Sequence, residues 1–217
     1  MKFAFLAVGI MLVAQDAVRR DQHEMHRLHN DPKALIAMLE DPKRDSYQKP
    51  HEVLNALALK EGEVVADIGA GSGYFSFRFA GQVGDTGRVF AVDISPDMIL
   101  HMNRRIRDLG LKNVVTVLSV ADDPLLLDAS IGRFFICDTW HHVENQAKYL
   151  GLIKNMLKPG GQVVMIDFHK KELPVGPRLE MKIAREDLVR QMETHGFRLL
   201  KEHTFLPYQY FLVFGLN

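Results

Sequence analysis

With 217 residues, 47% of them apolar, the chain is long enough to fill one sizeable core. Its 27 basic and 27 acidic side chains cancel, so no overall field draws it to nucleic acid or to an anionic membrane. Cys137 is the only cysteine, which excludes an internal disulfide and a cysteine-based metal cluster; inside the apolar run Phe134-Phe-Ile-Cys137 it reads as a buried structural thiol.

The chain opens with Met1-Lys2 and the apolar run Phe3–Ala14. That run is shorter than the roughly 20 residues a membrane helix needs. One leading positive charge and small residues at Ala14 and Ala17 give residues 1–17 the form of a secretory signal or an N-terminal anchor. Two locations follow: the cytoplasm, with membrane association through this segment, or export to the periplasm if the segment is a signal. Residues 18–46 are polar and helix-forming, punctuated by Asp31-Pro32 and Asp41-Pro42, and read as a helical extension ahead of a domain over 47–217. In the extension His23, His26 and His29 recur every three residues. They lack the His-Glu-x-x-His spacing of a zinc helix, and no metal is expected.

Beyond a helix over Pro50–Leu59, strand-like runs alternate with helical ones. The strands fall at Glu63–Ile68, Arg88–Val92, Val114–Val120, Arg133–Asp138, Gln162–Ile166, Phe197–Lys201 and Tyr208–Phe214. The helices start at Tyr74 and at Pro96, and cover Gln146–Leu157 and Arg185–His195. Such alternation implies a parallel sheet. The last two strands are separated by a short loop and should pair antiparallel.

The first strand runs into Asp67-Ile-Gly69-Ala-Gly71-Ser-Gly73-Tyr-Phe75. A strand, a glycine turn and a helix bring backbone N–H groups to a ligand. A dinucleotide fingerprint would need glycine at 74 or 76, where Tyr74 and Ser76 stand, and a Walker loop would need Gly-Lys-Ser/Thr. Neither phosphate pattern fits. Twenty residues after Gly73, Asp93 closes the second strand in Val89-Phe-Ala-Val-Asp93-Ile-Ser-Pro. A carboxylate there can accept two ribose hydroxyls, or serve only as a strand end; Ser95 before Pro96 reads as a helix N-cap.

Asp67-x-Gly69-x-Gly71-x-Gly73 resembles motif I of the class I S-adenosylmethionine-dependent methyltransferases. With Phe135-Ile-Cys-Asp138-Thr-Trp-His-His142 and Lys158-Pro-Gly-Gly161, the stretch from about Gln48 to Phe168 is similar to the small-molecule branch that includes the ubiquinone and menaquinone C-methyltransferases. The resemblance implies an α/β, Rossmann-like, doubly wound, mostly parallel seven-stranded sheet with an antiparallel last strand, plus the helical N-terminal extension. It implies S-adenosyl-L-methionine as co-substrate. Asp67, Gly69, Gly71 and Gly73 would surround the methionine end, Asp93 the ribose, and Ile94 and Met98 the adenine. Asp122 or Asp123 would receive the adenine amino group, and Asp138 would stand at the fourth strand end.

The expected acceptor is a small molecule, because the stretches long enough to lid the sheet edge are short, and the chain has no basic arm and no Asn-Pro-Pro-Tyr or Pro-Cys base-flipping signature for nucleic acid. Methyl transfer needs nucleophile and methyl carbon held in line. His141 and His142 stand where the acceptor should approach, as candidates to orient it or take its proton, with His169 as another. Trp140 would stack on the acceptor or fill the core. Tyr47-Gln48-Lys49 would fold over the methionine end, and His169–Pro177 with the segment before Pro50 would form the lid. Leu173, Pro174 and Val175 suit an apolar or aromatic acceptor. Arg104-Arg105-Ile-Arg107 reads as a solvated helix face. A second reading is a non-catalytic S-adenosylmethionine-binding or sensor protein, which would bind without turnover.

Overall fold

The structure, a computed structural model, describes residues 31–217. The signal-like segment 1–17 and the histidines at 23, 26 and 29 lie outside the described residues. The described residues fall into two units that part between Leu39 and Glu40. In the first, helix α1 spans Pro32–Leu39; Asp31 Oδ1 accepts from the N–H groups of Lys33 and Ala34 at 3.0 and 3.1 Å, capping amides that have no partner within the helix.

The second unit opens with a 3-10 turn at Pro42–Arg44, α2 at Asp45–Gln48 and α3 at Pro50–Leu57. It continues with β1 Val64–Ile68, α4 Ser76–Val83, β2 Arg88–Asp93, α5 Pro96–Leu109, β3 Val114–Leu118 and β4 Ile131–Cys137. A 3-10 turn at Trp140–His142 precedes α6 Gln146–Met156 and β5 Leu157–Phe168. A 3-10 turn at Leu179–Met181, α7 Arg185–Thr194, β6 Phe197–His203 and β7 Gln209–Leu216 complete the chain.

The sheet order is β3-β2-β1-β4-β5-β7-β6. Strands β1 to β5 pair in parallel, and β7 runs antiparallel between β5 and β6. This is the Rossmann-like sheet expected. Both faces are covered, which explains why the central strands are apolar without alternation. On one face Ala66, Ile136 and Met165 pack with Leu150 and Ile153 of α6 and Leu188 and Met192 of α7. On the other, Val65, Phe135 and Val164 pack with Val53 of α3, Phe79 and Val83 of α4 and Met102 of α5.

Element ends differ from the sequence reading where the backbone leaves its ordinary region. Helix α4 starts at Ser76 rather than Tyr74, because Gly69, Gly71 and Gly73 hold φ of +70°, +57° and +85° and keep the chain turning. β4 stops at Cys137; Asp138, at φ +53°, turns the chain out of the sheet. β5 already pairs at Leu157, but the register then jumps from Ile131↔Leu157 to Arg133↔Gln162. The Lys158–Gly161 turn is thus a bulge inside a strand, not a boundary before it.

The geometry leaves an aspartate at the carboxyl end of four parallel strands: Asp67 in β1, Asp93 in β2, Asp138 just beyond β4 and Asp167 in β5. The strand order reverses between β1 and β4, the position where open α/β sheets form a crevice. Among the described residues no helix is long and apolar enough to cross a membrane.

Candidate active site

Asp67 is 3% exposed, and its Oδ2 accepts from the Ser76 hydroxyl at 2.6 Å. Burial pushes its carboxyl up to about 7. The glycine turn that follows is closed by Asp93: Gly71 N–H donates to Asp93 Oδ2 at 2.8 Å and Ser95 N–H to Oδ1 at 2.9 Å. Burial raises the Asp93 pKa against these amide bonds. A carboxylate offers about four acceptor positions, so Asp93 retains capacity for two further donors. Ser95 also caps α5, accepting from Met98 N–H at 3.4 Å, with Pro96 behind it.

An adenosine fits these surroundings. Asp93 presents its free acceptor capacity beside apolar side chains left in solvent: Ile94 next in the chain is 61% exposed, and Leu118, paired with Asp93 across β3, is 49% exposed. Met98 is buried. In the glycine turn the buried Ser72 Oγ has no hydrogen-bond partner among the described residues, a polar atom whose cost a ligand would remove. Asp122 lies on the surface in an ion pair with Lys148 at 2.5 Å, which holds its carboxyl below the usual range. Asp123 Oδ1 accepts from Leu125 N–H at 2.8 Å.

Beyond β4 the chain packs back onto the glycine turn. A β-carbon on Gly69 would stand 2.3 Å from Thr139 Oγ1, so the two loops touch with no room between them. Asp138, one residue earlier, accepts from Gln209 Nε2 at 2.7 Å and faces Arg44 at 3.9 Å. Its carboxyl is pushed up to about 6, by burial first and then by Asp167. Gln48 joins this group, donating to Cys137 Sγ at 3.0 Å and accepting from Gln209 at 3.3 Å. The buried thiol expected at Cys137 is present.

His141 is turned inward. Its Nδ1 lies 3.0 and 2.9 Å from the two oxygens of Asp167, with side chains only 2% and 1% exposed. His142 is exposed, its ring 4.2 Å from that of His141. Trp140 is core: it is 1% exposed, donates from Nε1 to Gln191 Oε1 at 3.0 Å and meets Tyr149 edge-on. His169 is partly buried, its ring edge-on to Tyr210 at 5.8 Å, and burial lowers its pKa.

Of the segment before Pro50, Arg44, Asp45, Tyr47 and Lys49 lie at this edge. Tyr74 of the glycine turn donates to Asp45 of α2, and the guanidinium groups of Arg44 and Arg78 lie 4.3 and 4.1 Å from its ring centre. Lys49 Nζ donates to Phe205 O at 3.0 Å. The Tyr47 ring sits 6.2 Å from Phe168 and 6.3 Å from Tyr208. Gly176 of the loop after β5 lies on Phe168, where a β-carbon would stand 2.6 Å from the ring. Arg104, Arg105 and Arg107 are exposed on α5.

Asp167 and Gln209 were not anticipated. Asp167 closes an apolar strand as Asp93 does, and the same signal could have found it. Gln209 carried no signal, because only the antiparallel return of β7 brings it to Asp138.

A family model described as a methyltransferase domain matches residues 59–202. The chain belongs to that family, and it is a class I S-adenosylmethionine-dependent methyltransferase with S-adenosylmethionine as co-substrate. Among solved structures it is similar to a SAM dependent methyltransferase from Aquifex aeolicus, at 29% identity and a TM-score of 0.81, covering 86% of this chain and 99% of that one. Among curated proteins it is similar to ubiquinone/menaquinone biosynthesis C-methyltransferase UbiE of Hydrogenovibrio crunogenus, 32% identical over 54% of this chain and 46% of that protein. The UbiE of Enterobacter sp. is 29% identical over 54% of this chain and 47% of its own length. The matched stretch thus spans about half the length of these curated relatives.

Proposed function

Starting from membership of the methyltransferase-domain family, we propose that this chain methylates a small apolar or aromatic acceptor at the carboxyl edge of its sheet. The bound sulfonium supplies an electrophilic methyl group; the chain's residues have to bind, orient and exclude water. Asp93 accepts the ribose hydroxyls, with Ile94 and Leu118 beside the adenine and Asp122 or Asp123 at its amino edge. Asp67, Gly69, Gly71, Gly73 and Asp138 surround the methionine end. His141 and His142 face the acceptor, and residues 47–217 form the catalytic domain.

The observation that carries this reading is the contact of Thr139 with Gly69. It joins the turn that would hold the cofactor to the loop bearing both histidines, so donor and acceptor would meet across a closed seam. The relatives named for ubiquinone and menaquinone biosynthesis support an aromatic acceptor, as do Tyr47, Phe168 and Tyr208 grouped at the same edge. The cytoplasm, where the cofactor is made, is the proposed location, with membrane association through residues 1–17. Labelled S-adenosylmethionine offered with phenols, quinols, thiols and amines tests the proposal, repeated with His141→Ala and His142→Ala. Methylation of an aromatic member supports it; full turnover in both variants would remove the histidines from the acceptor site.

A further inference from the structure

Asp167 explains which histidine can act and what kind of acceptor it suits. A carboxylate that is 1% exposed needs a cationic or strong hydrogen-bond partner, since burying its charge unpaired is strongly unfavourable. Phe168 N–H supplies one bond, at 2.8 Å to Oδ1. The remaining donor is His141, whose Nδ1 lies within 3.0 Å of both oxygens. Asp167 therefore holds the proton of His141 on Nδ1. In the neutral ring that leaves the lone pair on Nε2, for which no protein partner exists among the described residues. The backbone carries this ring two residues beyond Thr139, itself against Gly69 of the glycine turn.

We infer that His141 Nε2 is the proton acceptor of the transfer, that Asp167 is its positioning residue, and that the acceptor's nucleophile carries an acidic proton, as a phenol or thiol does. The inference rests on the methyl-transfer reading above. In the step it describes, the acceptor oxygen or sulfur bonds to the methyl carbon while the methyl–sulfur bond breaks and its electron pair stays on sulfur. The acceptor's proton moves to His141 Nε2, and the resulting imidazolium is stabilised by Asp167 through Nδ1–H. This is the arrangement by which a carboxylate fixes tautomer and orientation without itself being protonated. An aprotic nucleophile would need none of it.

The test has two parts. Nitrogen-15 NMR of the histidine rings in the wild-type protein should show His141 protonated on Nδ1, and in Asp167→Asn the proton should shift to Nε2; this needs no substrate. Methyl transfer is then followed with catechol, hydroquinone and mercaptoethanol as probes, and S-adenosylhomocysteine binding by calorimetry. Asp167→Asn should lower kcat by about 100-fold or more while KM and homocysteine-nucleoside affinity stay within about threefold, and Asp167→Glu should recover part of kcat. A wild-type ring protonated on Nε2 overturns the inference, as does unchanged kcat in Asp167→Asn. So does the absence of transfer to all three probes by a protein that binds S-adenosylhomocysteine. Failure to bind S-adenosylhomocysteine at all would instead refute the reading on which it rests. If Asp167→Asn does not fold, the wild-type tautomer decides.

Discussion

Thr139 occupies the space in which a β-carbon on Gly69 would stand, its Oγ1 2.3 Å from that position. Gly69 also holds φ +70°, a conformation that costs an L-residue of order 1 kcal/mol or more. Gly69→Ala should therefore destabilise the protein by about 2–4 kcal/mol, the sum of backbone strain and overpacking. Adding Thr139→Gly should recover only the packing part. Thermal melts of the wild type and the two variants check this; full recovery in the double variant would mean that backbone strain contributes nothing.

Trp140 separates a packing role from an acceptor-stacking one. It is 1% exposed and its Nε1–H satisfies Gln191. Trp140→Phe should cost about 2–4 kcal/mol, from lost volume and an unpaired glutamine oxygen, and leave KM for the acceptor unchanged. A raised KM at unaltered stability would return Trp140 to the acceptor site.

Asp67 gives the binding a pH dependence. Burial lifts its carboxyl to about 7, above the ordinary value near 3.8, so the folded chain holds this proton more tightly than the unfolded chain. Stability falls as pH rises from the unfolded value through the folded one, and the loss is complete above it. A cationic ligand group beside Asp67 favours the ionised form, so binding releases the proton and weakens as pH drops below the folded value. Calorimetry with S-adenosylhomocysteine should show affinity declining from about pH 8 to about pH 6, with Asp138, lifted to about 6, adding to the decline at the lower end. Asp67→Asn should flatten the upper part of this decline and melt higher than wild type at about pH 8, the two converging towards pH 4. An identical pH slope in the variant would place the ligand's cation elsewhere.

The fold was legible because its information is local. Apolar runs closed by turns mark parallel strands, and three alternate glycines before Ser76 mark where the chain must turn at positive φ. Asp93 was legible for the same reason, as the end of a strand at a fixed distance from the turn. The inward turn of His141 was not, because it depends on Asp167, 26 residues away across the sheet. Nor was the Asp138–Gln209–Gln48 group, assembled from segments 71 and 161 residues apart. The Lys158–Gly161 turn showed the limit of local reading in the other direction: proline and glycine signalled a boundary, and the chain instead bulges out of a strand already paired at Leu157.

Whether the glycine turn and Asp93 together hold S-adenosylmethionine is decided by titrating the protein with S-adenosylhomocysteine, wild type against Asp93→Ala. Asp93 closes the turn through Gly71 N–H and Ser95 N–H, and its remaining acceptor capacity is what the ribose would use. Charge-assisted hydrogen bonds of this kind are worth about 1.5–3 kcal/mol, so affinity should fall by about 10-fold to 100-fold or more in Asp93→Ala, while the exposed control Lys154→Ala binds as wild type. Equal affinity in Asp93→Ala and wild type would remove Asp93 from the site.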